Sequence, residues 1–489
     1  MEIRVRFAPS PTGPLHIGGA RSALFNYLWA RKNKGKFIVR SEDTDLERSS
    51  RESEQNILAA LRWLNIQWDE GIEVGGEYGP YRQTERLALY RDYTEKLMEN
   101  GHAYFCYCSE EELEQERQAL TSKGETPRYL GKCRQLTAEQ RAAYEAEGRK
   151  PVVRFRVPEG QAIHISDQVR GDVVFESDGI GDYVIVKSDG IPTYNFAVVV
   201  DDTTMKITHI IRGEEHLSNT PRQVLIYQAL GLSVPEFAHV SLILNTEGGK
   251  MSKRDGDTAV IDYQKKGYLP EAIINFIALL GWAPPGEEEF YTLDELTEIF
   301  SLDRVSKSPA VFDVQKLNFM NAHYLKKAAP ERLAELALPH VGEMGILPLE
   351  ERSAEQQQWL VSFIEAISEK ISYMAEVKDF IHYFYGEVPL EPEGEALEVL
   401  SGEQVLGVLA LFREKVREVE PLSAATVKLL LKQMTKELKL GGKLVYMPLR
   451  VALTGQMHGP ELYDVIPLLG RENVLKRLEV TEKRYLGGI

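Results

Sequence analysis

Two short segments carry groups suited to handling phosphate. The first is Pro9–Gly19, which sets His16 just ahead of Gly18 and Gly19 between an apparent strand and an apparent helix. Glycines let a backbone approach a ligand closely, and a helix N-terminus offers unpaired N–H groups and a partial positive charge. In that setting His16 can donate a hydrogen bond to a phosphate oxygen. The plainer alternative is that His16 caps the helix and the glycines turn the chain, and these residues alone do not separate the two. The second segment is Lys250-Met251-Ser252-Lys253-Arg254, following Gly248-Gly249. Three cations this close repel one another unless an anion joins them, and a triphosphate is such an anion; a solvated basic loop is the alternative.

These groups need a scaffold. Ile3, Val5 and Phe7 alternate with Arg4 and Arg6, the period-two signal of a strand. The prolines of Pro9–Pro14 then break it. Ala20, Ala23, Leu24, Tyr27 and Leu28 follow at helical spacing, and Phe37-Ile38-Val39-Arg40 reads as a buried strand. Strand, helix and strand in that order predict a parallel sheet with right-handed crossovers. Tyr194–Val200 and Ile207–Ile211 read as further buried strands, each followed by charged residues. From about Ala329 onward strand signals give way to amphipathic helical patterns, as in Glu351–Tyr385 and Glu403–Val419.

The chain has 489 residues, 43% hydrophobic and 27% charged, which implies a globular protein of several domains. Its longest apolar runs, such as Ile273–Leu280, fall short of the ~20 residues a membrane helix needs. The N-terminus enters a strand-like pattern without a secretory signal, and three cysteines make no disulfide framework. The cytoplasm is the expected location. A formal charge of −16 argues against coating nucleic acid by general attraction. A local basic face remains: Lys428, Lys432 and Lys436 recur at i, i+4, followed by Lys439, Lys443 and Arg450, with only Glu437 opposing them. That stripe is either a solvated helix face or a contact for nucleic acid.

Together the two phosphate segments resemble the paired signatures, "HIGH" and "KMSKS", of class I aminoacyl-tRNA synthetases. Further blocks resemble the bacterial-type glutamyl-tRNA synthetase family across almost the whole chain. They are Arg6–Gly13, Arg40–Asp45, Gly79–Thr84, Ser188–Tyr194 and Arg212–His216. The resemblance implies an α/β fold: a Rossmann-like parallel-sheet catalytic domain (1–100 and 187–240), an α+β acceptor-stem-binding insertion (101–186), a connecting domain with the basic loop (241–328) and an all-helical anticodon-binding region (329–489). It implies ATP bound by Pro9, Thr12, Gly13, His16, Gly18, Gly19 and Lys253, with His16, Lys250 and Lys253 as the catalytic groups. It implies L-glutamate bound by Arg6, Ala8, Ser10, Glu42, Tyr194 and Arg212. Arg6 and Tyr194 would read the γ-carboxylate, and Glu42 the α-amino group. A structural ion pair between Arg6 and Glu42 is the alternative. Mg2+ is expected with ATP, held mainly by phosphates and water.

Cys106, Cys108 and Cys133 resemble the zinc-binding part of some family members. Those complete the site with a histidine two residues after the last cysteine, where this chain has Gln135, a poor zinc ligand. Two readings stay open: idle thiols, or a Zn2+ site completed by Tyr129. The resemblance implies tRNA-Glu as partner, leaves tRNA-Gln open, and implies a monomer. Glutaminyl-tRNA synthetases, which resemble the form with a β-barrel anticodon domain, are disfavoured by the helical C-terminal third. The shorter paralogue that glutamylates a tRNA base lacks that third. A non-catalytic tRNA-binding protein would need neither phosphate motif.

Overall fold

Strand β1 (Arg4–Phe7) and strand β2 (Lys36–Val39) pair in parallel, with Arg4 opposite Lys36 and Phe7 opposite Val39. Helix α1 (Ile17–Lys32) makes the crossover, the βαβ start predicted by the residue pattern. Residues 2–249, 251 and 257–487 are described in this computed structural model. Lys250, Lys253 and Arg254 lie outside the described residues. The chain divides into two units, one of Met1–Tyr263 and Pro270–Val314, the other of Gln264–Leu269 and Gln315–Ile489.

In the first unit β3 (Glu70–Gly71) extends the β1–β2 sheet in parallel. A separate antiparallel sheet joins β4 (Ala103–Cys106), β5 (Val152–Phe155) and β8 (Tyr183–Val186). The hairpin of β6 (Ala162–Asp167) and β7 (Gly171–Glu176) adds to β10 (Glu236–Val240), which runs parallel to β9 (His209–Gly213). The β9 end of this sheet meets β1 where Thr208 N donates to Arg4 O at 2.9 Å. The strands that carry Arg6 and Arg212 are thereby neighbours. Arg4 and Arg6 are buried although they alternate with the apolar positions of β1. Their face of the sheet is lined with acids: Glu70 grips Arg4 through both oxygens, at 2.8 and 2.9 Å.

Up to residue 230 the helices are α1, α2 (Arg51–Trp63), α3 (Leu87–Glu99), α4 (Glu110–Ser122), α5 (Ala138–Ala146), α6 (Tyr194–Thr204) and α7 (Thr220–Ala229). One sequence expectation fails here. Tyr194–Val200, read as a buried strand, is the start of α6. Phe196 to Val200 are buried all round, so no period distinguishes strand from helix. The correction matters because it places Tyr194 at a helix N-terminus and Asp201 and Asp202 on the same helix.

In the second unit, the described residues from 329 onward form helices and no strand. The long helical pattern of Glu351–Tyr385 is broken into Ala354–Ile367 and Val377–Phe384, joined through a single tight turn at Met374–Glu376. The helix Ala424–Glu437 buries Val427, Leu430, Leu431 and Met434, leaving Lys428, Lys432 and Lys436 on the exposed side. Among the described residues no helix is long and apolar enough to cross a membrane.

Candidate active site

All twelve described residues expected at the ATP and glutamate sites line one cavity of about 690 Å³. They are Arg6, Ala8, Pro9, Ser10, Thr12, Gly13, His16, Gly18, Gly19, Glu42, Tyr194 and Arg212. His16 is the residue just before α1, extended at φ −79° and ψ 157°, and its side chain makes no capping hydrogen bond. The imidazole is therefore not consumed by the helix it precedes. At Gly18 an added Cβ would meet no protein atom within 4 Å. Packing does not demand that glycine; its bare backbone keeps the mouth of the cavity open beside the helix terminus. The turn is held from outside by Ile17 N donating to Thr258 O at 3.0 Å and Val260 N donating to Leu15 O at 2.9 Å.

The floor is a buried charge network. Arg6 Nε donates to both oxygens of Asp202 at 3.2 and 3.3 Å. Arg40 reaches Asp202 at 2.8 Å and Glu42 at 3.0 Å, and Arg86 reaches Asp201 at 2.7 Å. Arg6 and Glu42 are thus not each other's ion pair. Each has its own partner and spare capacity: the terminal nitrogens of Arg6 make no hydrogen bond among the described residues, and Glu42 accepts only from Arg40. Burial pushes the Glu42 carboxyl up from its usual range, against the pull of Arg40 and Arg6. Burial acts on Asp202 in the same sense, but Arg6 and Arg40 outweigh it and hold that carboxyl low. Arg40 has no exposed surface; burial opposes its charge, yet Asp202, Asp201 and Glu42 hold it well above the usual arginine value.

Arg212 stands outside this balance. It forms no ion pair among the described residues and is held by four neutral groups. It donates to His239 Nε2 at 3.1 Å, Tyr194 Oη at 3.3 Å, Thr220 Oγ1 at 2.8 Å and Gln223 Oε1 at 2.9 Å. Tyr194 Oη, accepting from Arg212, passes its own proton toward His216 Nδ1 at 3.1 Å. Burial, with Arg212 and Arg6 nearby, lowers His216 to about 4, so it is neutral and can accept. Three cations (Arg6, Arg40, Arg86) face three carboxylates (Asp201, Asp202, Glu42), whereas Arg212 has no carboxylate in direct contact among the described residues, Asp167 standing behind His239.

Several of these groups escaped sequence reasoning. Arg40 falls within the Arg40–Asp45 segment with nothing local to mark its role, and Asp201-Asp202 read in sequence only as charge after an apolar run. His239 and Asp167 had no local signal at all. The blocks Arg40–Asp45 and Gly79–Thr84 prove to lie side by side. Ser41 N donates to Tyr81 O at 2.9 Å, and Asp43 accepts from Thr84 N at 2.9 Å and from Thr84 Oγ1 at 2.7 Å.

The cysteines also come together. Cys106, Cys108 and Cys133 have their sulfurs within 4.8 Å of one another, with Cys108 Sγ and Cys133 Sγ 3.5 Å apart. Tyr129 Oη is 3.6 Å from both Cys106 Sγ and Cys108 Sγ. Thiolates ~2.3 Å from a tetrahedral zinc lie about 3.8 Å apart, and an oxygen at ~2.0 Å lies about 3.5 Å from each, so the Cys108–Cys133 and the two tyrosine–thiol separations are compatible with such an ion. Gln135 is exposed and takes no part in the cluster. In the second unit a separate cavity is lined by Lys370, Phe380, Tyr383, Gln456 and His458, among others.

Comparison with known proteins agrees with this picture. Residues 2–319 match the family described as tRNA synthetases class I (E and Q), catalytic domain, and residues 332–481 match the anticodon binding domain family. The glutamate–tRNA ligase of Desulfitobacterium hafniense is 73% identical over 485 residues, covering 99% of each chain. That of Heliobacterium modesticaldum is 62% identical, covering 97% of this chain and 96% of its own. A solved glutamate tRNA ligase from Elizabethkingia meningosepticum, in complex with its amino acid, superimposes with a TM-score of 0.89 at 34% identity, covering 99% of this chain and 100% of that one. The chain belongs to the glutamate–tRNA ligase family of class I tRNA synthetases.

Proposed function

We propose that this glutamate–tRNA ligase activates its amino acid in the cavity floored by Arg6, Glu42, Tyr194 and Arg212, with ATP across the His16 turn. The observation that carries the reading is a pair of buried arginines, Arg6 and Arg212, lining the cavity, the first with its terminal nitrogens unused and the second with no carboxylate in direct contact among the described residues. Glutamate brings a second carboxylate to meet these cations; glutamine brings a neutral amide in its place and forfeits that match. Charge-assisted hydrogen bonds are each worth about 1.5–3 kcal/mol, so the amide would be strongly disfavoured.

The glutamate α-carboxylate attacks the α-phosphate of ATP, expelling pyrophosphate and leaving glutamyl-adenylate, with no covalent enzyme intermediate. Arg6 and Tyr194 hold the γ-carboxylate, Glu42 holds the ammonium, and Ala8, Ser10 and Arg212 fix the orientation. His16 donates to the phosphate as charge develops, while Pro9, Thr12, Gly13, Gly18 and Gly19 let the nucleotide approach the start of α1. Lys250 and Lys253 supply cations for the triphosphate, and Mg2+ would accompany it. A hydroxyl of the 3′-terminal ribose of tRNA-Glu then attacks the adenylate carbonyl, forming the ester as the acyl–phosphate bond breaks and AMP leaves. Residues 101–186 take the acceptor stem, 241–328 connect, and 329–489 read the anticodon; 1–100 with 187–240 carry the chemistry. Cys106, Cys108, Tyr129 and Cys133 hold a structural Zn2+, which would tie β4 to the 129–133 loop. The enzyme acts as a monomer in the cytoplasm.

Aminoacylation with labelled glutamate on purified tRNA-Glu and tRNA-Gln, with ATP, magnesium and a glutamine control, tests the reading. Charging of tRNA-Glu alone is expected. Charging of both would mean that the anticodon region does not discriminate, and transfer of glutamate to neither would refute it.

A further inference from the structure

Arg212 meets an imidazole where a directly contacting carboxylate could have stood. Its Nε donates to His239 Nε2 at 3.1 Å, so that nitrogen must be the bare acceptor of the ring. The other nitrogen, His239 Nδ1, then carries the proton, and it points at Asp167 Oδ2, 2.6 Å away. His239 has no exposed surface and Asp167 is 3% exposed. We propose that Asp167 and His239 are a positioning pair that fixes Arg212 toward glutamate while keeping the Asp167 carboxylate out of direct contact with it. The inference rests on the reading that Arg212 binds glutamate.

The logic is one of separation. A carboxylate placed directly on Arg212 would orient it equally well but would cancel the charge the substrate needs. With an imidazole between them, Asp167 orients the ring and selects its tautomer, and Arg212 meets only a neutral acceptor. The alternative tautomer would set Nε2–H against the Arg212 Nε–H, two donors facing each other. The three residues come from neighbouring strands, Asp167 at the end of β6, His239 on β10 and Arg212 on β9, so the relay crosses the sheet in one line. Thr220 Oγ1, 3.1 Å from His239 Nε2 and 2.8 Å from Arg212 Nη2, closes the arrangement from α7.

Asp167 also has a purely architectural role, accepting from Val169 N at 2.9 Å, Arg170 N at 2.8 Å and His239 N at 3.1 Å. The test must therefore separate positioning from folding. In Asp167→Asn the amide oxygen can keep the Val169 and Arg170 bonds, but the amide NH2 confronts His239 Nδ1–H. His239→Leu removes the acceptor for Arg212, whereas His239→Gln restores a carbonyl oxygen near the Nε2 position.

The experiment is steady-state aminoacylation by the full-length variants, with KM for glutamate, KM for ATP and kcat measured separately. Asp167→Asn and His239→Leu are expected to raise the KM for glutamate about tenfold, leaving KM for ATP and kcat within about twofold of the parent. His239→Gln is expected to return it to within about threefold. In protein labelled with 15N-histidine, His239 should report an unprotonated Nε2, a signature that a structural role alone does not require. Equal losses in His239→Gln and His239→Leu, or no change in KM for glutamate in either Asp167→Asn or His239→Leu, would overturn the proposal. Arg212→Ala provides the control. If it too leaves the KM for glutamate unchanged, the parent reading of the cavity fails; if it raises that KM while the pair variants do not, only the positioning role fails.

Discussion

Arg6 on β1 and Asp202 on α6 are 196 positions apart and meet through Arg6 Nε at 3.2 and 3.3 Å from the two carboxylate oxygens, with neither side chain more than 5% exposed. Asp202 also carries Arg40, so two buried cations depend on one anion. Asp202→Asn should therefore destabilise the protein by about 3 kcal/mol, because removing one member of a buried pair strands the others. Urea unfolding followed by circular dichroism measures it. The folded-state pKa of Asp202 is depressed, so its stabilisation is present above the unfolded aspartate value of about 3.9 and is lost as pH falls through the lower folded value. The variant should accordingly lose less stability on acidification below about pH 4 than the parent.

Tyr194 Oη accepts from Arg212 and also faces the His216 ring. Tyr194→Phe keeps the ring and removes both bonds. The KM for glutamate should rise about three- to tenfold, the equivalent of a single hydrogen bond at about 1 kcal/mol, with KM for ATP unchanged. An unaltered KM for glutamate would show that the hydroxyl neither touches the substrate nor steadies Arg212.

What could be read from the sequence follows from how far apart the interacting residues lie. The β1–α1–β2 start is local, and alternation at Ile3–Phe7 followed by helical spacing at Ala20–Leu28 is enough to predict it. The His16 turn is legible for the same reason, since its glycines and its position before a helix are contiguous. Tyr194–Val200 was not legible, because an apolar run buried on every side has no period to report. The pairing of Arg40 with Asp202, and the line from Asp167 through His239 to Arg212, join strands and helices distant in the chain and leave no spacing to detect. Tyr129 is intermediate: its place before Cys133 raised the idea of a fourth ligand, and only the approach of its hydroxyl to two sulfurs makes the geometry suitable.

Zinc should be measurable in the purified protein. Metal analysis by inductively coupled plasma spectrometry is expected to return about one zinc per chain, falling below a fifth of that in Cys106→Ala. Tyr129→Phe removes the only oxygen of the set and should weaken retention against a chelator, by about 10- to 100-fold on the scale seen for neighbouring-ligand changes. Because the cluster ties β4 to the loop through Tyr129 and Cys133, chelation should lower the melting temperature. The glutamate cavity is lined by other residues, so its KM for glutamate should be unaffected. Metal-free protein with full activity and an unchanged melting temperature would mean that the thiols are idle.

The lysine stripe gives the last test. Glu437, the acid of the same helix, is engaged by Lys415 at 2.7 Å, and Lys428, Lys432 and Lys436 are exposed on that helix, with Asp464 near Lys428. Lys428 Nζ lies 5.1 Å from the ring centroid of Tyr463, so that amine is partly oriented, while Lys432 and Lys436 form no ion pair among the described residues. If the stripe meets tRNA phosphates, reversing Lys432 and Lys436 to glutamate should raise the KM for tRNA at least tenfold. It should also flatten the salt dependence of that KM by roughly one to two units of log–log slope, since each lost phosphate contact removes about 0.7–0.9. KM for glutamate and for ATP should not move, and nor should the melting temperature, because the apolar side of the helix is untouched. A solvated face would instead leave the tRNA dependence as it was, in magnitude and in salt slope alike.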